Sequence, residues 1–315
     1  MLKSTRDAYG EALLKLGGQD ERVVVLDADL SSSTRTNRFA ARFPERYFEM
    51  GIAEQNLYGV AAGLAAAGKI PFASTFAVFA TERAFNQIRQ SIAYPRLNVK
   101  IAVSHSGFTA SGDGGSHQTL IDVALMRSLP NMTVIAPADA VQTEQAVLEA
   151  ARRPGPVYLR LGKSEVPVIF DSSSPFRIGE AVPMRSGRDV TVLAAGTLLA
   201  AALSASEALE RKGISVELYC VHTIKPLDRE RILASVRKTG AAVTVEEHSV
   251  IGGLGGAVAE LLAADHPAPM AFVGVNDRFG ESGSEGELHA AHGLTAQGIE
   301  EKIRGLLERR KGGGP

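Results

Sequence analysis

The chain has 315 residues, a formal net charge of −1 and a single cysteine. Balanced charge argues against nucleic acid or an anionic membrane as a partner, since either demands a basic patch. One cysteine excludes an intrachain disulfide and any cysteine-cluster metal site, and neither a signal segment nor an apolar run of the ~18 residues that span a membrane is seen, so a cytoplasmic protein of roughly two domains is expected.

Ser4 to Leu16 reads as a helix, with Asp7 three residues after a capping Ser4 and Gly17-Gly18 as its stop. Val23-Val24-Val25-Leu26 is a short strand ending in Asp27-Ala28-Asp29 and a Ser-rich loop. Strands are predicted at 70–74, 100–104, 133–136 and 157–161, and helices at 53–67, 81–93, 120–128 and 139–151. This alternation predicts a mostly parallel sheet covered by helices on both faces. Proline and serine interrupt the pattern from 164 to 189. A second α/β unit follows, with strands at 190–194, 215–221, 242–246 and 271–275 and helices at 198–212, 228–239, 255–264 and 295–310. The expected plan is a first domain over 1–165, a linker over 166–188, a second domain over 189–311 and a flexible tail at 312–315. Cys220 falls in a strand-like run and is expected to be a small buried apolar residue.

Some motifs invite a function that their context does not support. Gly112-Asp113-Gly114 has the form of a metal–diphosphate loop, but Asn131, the nearest second ligand, is only 17 residues downstream and follows Pro130. Gly252-Gly253-Leu254-Gly255-Gly256 opens a helix without a dinucleotide fingerprint, so close backbone packing is the expected use. His289 and His292 stand in what reads as a polar loop and make no metal site by themselves. His222 and His248 each follow a predicted strand and read as structural.

Two segments carry the functional argument. In Gly51-Ile52-Ala53-Glu54-Gln55-Asn56, a carboxylate opens a helix of small residues, Ala61-Ala62-Gly63-Leu64-Ala65-Ala66-Ala67-Gly68. At a helix start Glu54 could be a dipole partner only. The small neighbours permit close backbone approach, and a shielded carboxyl group can share a proton with a ring nitrogen. The second segment is a Gly/Ser-rich loop after a strand, which places His105, Asp113 and His117 within 13 residues. Such loops at strand carboxyl ends bind ligands in α/β proteins, and this mix of donors and acceptors suits a polyhydroxylated one.

With Ser74-Thr75-Phe76-Ala77-Val78-Phe79, Arg127-Ser128-Leu129-Pro130-Asn131 and His222-Thr223-Ile224-Lys225-Pro226-Leu227-Asp228, these segments resemble transketolase over essentially the whole chain. The match is to the pyrimidine-binding and C-terminal domains, without the diphosphate-binding domain, as in the C-terminal subunit of a split transketolase. The resemblance implies a role for each matching residue. Glu54 bonds N1′ of the thiamine aminopyrimidine, and Phe76 and Phe79 form the wall on which that ring stacks. Asp29 lies by the thiazolium ring. His105 bonds sugar oxygens, Asp113 reads a hydroxyl next to the carbonyl, and His117 sits near the reacting carbon. Arg6, Ser33 and Arg160 hold the acceptor phosphate, a task suited to the fork-shaped guanidinium, although Arg160 alone would read as a strand-end charge.

Where many transketolases continue the aromatic wall with Tyr, this chain has Glu82 followed by Arg83, so that side of the pocket is more polar and either residue can bond the aminopyrimidine. The resemblance further implies thiamine diphosphate as cofactor, with Mg²⁺ and the diphosphate held by an N-terminal partner subunit in an α2β2 assembly that acts on sugar phosphates. On this reading the second domain is structural and dimer-stabilising. The β subunit of a 2-oxoacid dehydrogenase E1 component shares Gly-x-x-Glu-Gln but not the Phe76/Phe79 spacing or the His105…Asp113…His117 loop. Deoxyxylulose-phosphate synthase has a similar loop in a longer chain. A non-catalytic homologue that only binds a partner is a reading of another class, and the retained Glu54, His105, Asp113 and His117 argue against it.

Overall fold

The computed structural model describes residues 1–311; the expected tail at 312–315 lies outside the described residues. The first half runs β1 (Leu2–Ser4), α1 (Thr5–Gln19), β2 (Val23–Asp27), α2 (Ser31–Thr34), α3 (Asn37–Arg42), β3 (Tyr47–Glu49), α4 (Glu54–Ala66) and β4 (Ile70–Phe76). It continues through a π-helical stretch Phe79–Arg83, α5 (Phe85–Gln87) and a second π-helical stretch Ile88–Ala93 to β5 (Lys100–Ser104). The 3-10 turns Gly107–Asp113 and Gly115–His117 lead to α6 (Asp122–Ser128), β6 (Thr133–Ile135), α7 (Ala140–Arg152), β7 (Val157–Arg160) and β8 (Glu165–Pro167). The second half contains β9 (Val182–Arg185), β10 (Val190–Ala194), α8 (Leu199–Glu210), β11 (Val216–Cys220), β12 (Thr223–Lys225) and α9 (Arg229–Thr239). It ends with β13 (Ala242–Ser249), α10 (Leu254–Asp265), β14 (Met270–Val275), α11 (Glu285–Ala291) and α12 (Ala296–Lys311).

These elements build two α/β domains, each on a mostly parallel sheet. The seven-stranded sheet has the order β12-β6-β7-β5-β4-β2-β3, and the five-stranded sheet β14-β13-β10-β11-β9. Every residue of β2, β4, β5 and β10 is buried, as expected for strands covered on both faces. One antiparallel strand edges each sheet: β12 on β6, and β9 on β11. β12 joins the first domain's sheet although its residues follow β11 of the second domain, and the segment expected to be pure linker supplies β9. An apolar cluster runs from Val24, Leu57 and Val103 to Leu193, Ile224 and Leu254, so the two domains share a core.

Local signals succeed where they are covalently near and fail where packing overrides them. Ser4 caps α1, its hydroxyl accepting the Asp7 N–H. Gly17 does not stop that helix, which continues to Gln19. A Cβ at Gly17 would lie 2.6 Å from the Phe39 and Phe43 rings, so the glycine admits α3 rather than ending α1. Residues 285–291 are helical, not a polar loop: Ser284 and Glu287 form a reciprocal capping box, a spacing visible in the sequence. Among the described residues no helix is long and apolar enough to cross a membrane.

Candidate active site

The segments singled out in the sequence follow the carboxyl ends of neighbouring strands, where open parallel sheets bind ligands. Asp29 comes after β2, Glu54 after β3, Phe76 at the end of β4, His105 after β5 and Arg160 at the end of β7. Glu54 is the first residue of α4 and only 4% exposed, delivered by a turn at Gly51 with φ +66°. Phe76 ends β4 and Phe79 begins the adjoining π-helical stretch; their rings are near-parallel, 10° apart in plane, with centroids 5.8 Å apart. His105 leaves β5 with φ +55° and stacks on Phe76 at 3.8 Å. His117 presents an edge contact to Phe79 at 5.4 Å and to Phe76 at 6.5 Å. The aromatic pair thus packs against both imidazoles of the loop.

His105 is buried, its Nδ1 2.9 Å from Ser104 Oγ. Burial pulls its pKa down to about 3, helped by the Arg6 and Lys163 charges and opposed by Asp113. It is therefore a neutral ring that can donate from one nitrogen and accept at the other. Because the folded value is depressed, the unfolded chain takes up a proton below about 6.5 that the folded imidazole refuses. His105 therefore lowers stability progressively as pH falls from about 6.5 towards about 3. Urea midpoints measured at pH 7 and pH 4.5 should fall further for wild type than for His105→Gln.

A cationic rim surrounds this imidazole. Arg6 on α1 donates from Nη1 to the Ser33 carbonyl oxygen at 3.0 Å, so these two predicted phosphate ligands are adjacent. Among the described residues the buried Arg6 Nε has no hydrogen-bond partner, and burial, aided by Arg35, holds the guanidinium below its usual pKa. Arg35, anchored by Asp7 at 2.8 Å, and Lys163, 3.6 Å from Asp113, complete the rim. Sequence reading missed both; the only local hint for Lys163 is its place three residues after Arg160. Asp113 thus faces the lysine in a partly exposed contact.

Three predicted residues are placed differently from the cluster. Asp29 is exposed with φ +60°, its N–H bonded to Glu49 Oε1 at 2.7 Å. Its neighbour Asp27 is the buried one, pushed up to about 6 by burial while it accepts from the Thr34 and Thr36 hydroxyls and the Leu30 N–H. Glu82 is exposed on the rim of a cleft of about 480 Å³ shared with Ser116, Ile121 and Phe279, while the Arg83 guanidinium lies 5.6 Å from the Phe79 ring centroid. Arg160 is held by Asp122 at 2.7 Å and by the Glu247 carbonyl at 2.9 Å, with its side chain 10% exposed. The strand-end surface charge that Arg160 suggests in isolation is thus not what the structure contains.

The remaining motifs serve packing. The Leu254 and Gly255 N–H groups donate to the Glu246 carboxylate at 2.7 Å, which occupies the place a phosphate would take. His248 accepts the Ala124 N–H and bonds the Ser249 carbonyl, and His222 stacks on Phe176. Cys220 is fully buried.

Residues 2–168 match the family described as transketolase, pyrimidine binding domain, and residues 179–299 match transketolase, C-terminal domain. The chain belongs to the transketolase family. It is 47% identical to a putative transketolase C-terminal section from Methanocaldococcus jannaschii, over 96% of this chain and 95% of that protein. It is 39% identical to human transketolase over 97% of this chain but 49% of the human one. A solved structure titled as a split gene transketolase, inactive beta4 tetramer, superimposes with a TM-score of 0.91 at 54% identity, covering 97% of this chain and 98% of that one.

Members of this family depend on thiamine diphosphate. The residues here fit its aminopyrimidine half: a near-parallel pair of phenyl rings and a shielded carboxylate at a helix start suit a flat ring with a basic nitrogen.

Proposed function

We propose that this chain is the C-terminal, pyrimidine-side subunit of a two-chain transketolase, moving a two-carbon ketol unit from a ketose phosphate to an aldose phosphate. The observation that carries the proposal is the convergence of Phe76 and Phe79 with His105 and His117 beside a cationic rim. When bound, thiamine diphosphate supplies the nucleophilic carbon and the electron sink for the transferred unit. Glu54 would hold a proton at the aminopyrimidine N1′, and Phe76 and Phe79 would fix the plane of that ring. His105 and His117 would bond sugar oxygens, and Asp113, set by Lys163, would read the hydroxyl next to the carbonyl. Arg6 and Ser33, with Arg160 where it can be spared from Asp122, would take the acceptor phosphate. Asp29 is assigned to the thiazolium side.

An N-terminal partner would hold the diphosphate and Mg²⁺ and complete an α2β2 enzyme. The inactivity named for the split-gene beta4 tetramer, a homologous chain of matching length, supports a need for that partner. Exposed apolar side chains beside the site support it too: Ile121 is 44% and Phe279 96% exposed in the Glu82 cleft. Co-purification with the product of the neighbouring gene, followed by cofactor titration and assay on a panel of ketose phosphates, tests the proposal. Ketol transfer by the mixture alone is the expected result. Decarboxylation of pyruvate or a branched oxoacid would instead assign the chain to a 2-oxoacid dehydrogenase, and absence of both activities and of cofactor binding would leave the non-catalytic reading. In that complex, Glu82→Ala or Arg83→Ala is expected to raise the thiamine diphosphate concentration for half-maximal rate several-fold. Unchanged titrations would remove both residues from the cofactor pocket.

A further inference from the structure

The second domain reaches into the substrate loop. Glu247 lies in β13 and its side chain is 3% exposed. Its Oε1 accepts the Phe108 N–H at 2.9 Å, and its Oε2 lies 2.6 Å from His289 Nε2 on α11. Phe108 is the second residue of the 3-10 turn Gly107–Asp113, so this carboxylate grips the root of the segment that carries Asp113. Gly107 makes the approach possible: its φ is +57°, and a Cβ there would lie 2.0 Å from Glu247 Oε1. The Phe108 ring stacks on His292 at 5.0 Å and meets His289 edge-on at 6.1 Å.

Glu247, Glu285 and His289 bring one ligand atom each within 4.8 Å of one another. A cation site is not the better reading, because Glu247 is committed to Phe108 and His289, and Glu285 to the Ser164 hydroxyl.

We propose that Glu247 and His289 form an interdomain clamp that positions the substrate loop, so that the second domain sets how well His105 and Asp113 meet the sugar. The clamp rests on the transketolase reading only for its effect on substrate; its effect on the loop does not. Glu247 is a positioning residue here, since its contacts are to the loop and not to reacting atoms. Burial lowers the His289 pKa, but the Glu247 hydrogen bond and the charges of Glu247 and Glu285 outweigh it, leaving the imidazole above its ordinary value. The bond is thus charge-assisted below that raised value and weakens as pH rises through it. The other charges around the pair are Arg160, which donates to the Glu247 carbonyl, and Glu281, which faces His292 at 3.6 Å.

Two mild variants test the clamp. Glu247→Gln keeps an acceptor for the Phe108 N–H and removes the charge; His289→Gln removes the cation and keeps a donor. In the full chain alone, hydrogen exchange of the peptide over 104–118 should quicken about fivefold in each variant, with β10 unchanged. Unchanged exchange in both variants would overturn the clamp. In the two-chain complex with thiamine diphosphate and Mg²⁺, KM for a ketose phosphate should rise about fivefold while kcat and cofactor affinity hold. The wild-type rise of KM with pH should flatten in His289→Gln. A loss confined to kcat, or a KM that does not move, would overturn the positioning role. If wild type itself shows no ketol transfer, the exchange result still decides the clamp, and only the proposed function fails.

Discussion

Glu54→Gln should cost about 10² to 10⁴ in turnover, the range for removing a positioned acid/base group, while the chain folds and assembles as before. The amide has the shape of the carboxyl group and α4 starts with the same backbone, so the packing of Leu57, Tyr58 and Ala61 behind it is untouched. What disappears is the ability to share a proton with a ring nitrogen. Steady-state rates of the proposed two-chain enzyme at saturating cofactor, set beside thermal midpoint and assembly size, separate the two effects. A variant within a few-fold of wild-type turnover would sink the assignment of Glu54 to the cofactor.

Asp122→Ala should destabilise the chain by about 3–5 kcal/mol, the cost of leaving one member of a buried ion pair alone. Asp122 is fully buried and accepts from Arg160 Nε and from the Tyr158 hydroxyl, both at 2.7 Å. Burial pushes its pKa up, but Arg160, the nearby His248 and the two hydrogen bonds outweigh this and hold it below the ordinary carboxylate value. The stabilisation is therefore present above the ordinary carboxylate range and is lost only as pH falls through the depressed folded value. At about 2–4 °C per kcal/mol for a protein of somewhat smaller size, the thermal midpoint should drop by roughly 10 °C. A double change, Asp122→Asn with Arg160→Met, should recover much of that loss because no unpaired charge remains. The double variant also separates the structural and substrate duties of Arg160. If Arg160 contacts the acceptor phosphate, KM for an aldose phosphate stays high after stability returns; if it does not, KM returns too.

The local readings that worked rest on residues that are near in the chain. Alternating β-branched runs and helical periods in each half led to two parallel-sheet domains, because burial on both faces imprints itself on every residue of strands such as β2 and β4. The Ser4 cap is likewise local and could be read directly. The Ser284/Glu287 capping box is equally local, and it starts a helix where polar composition alone suggests a loop.

Pairings across the chain were not legible. Gly17 looked like a helix stop because a glycine's neighbour in space, here Phe39 and Phe43, leaves no mark beside it in sequence. Lys163 and Arg35 gave no sign that they would ring His105, and Arg160 gave none that Asp122 would claim it. Glu247 sits in a strand whose apolar pattern marks only burial, so its grip on Phe108, 139 residues away, is invisible without the fold.

Sequence alone determined the alternation of strands and helices that gives two mostly parallel-sheet domains, since period and capping act over a few residues. Tertiary structure decided which charges meet, which aspartate claims Arg160 and which strand of the second domain contacts the 107–113 turn. Those outcomes depend on distances between segments far apart in the chain, where burial and Coulomb energy are set by geometry and not by order.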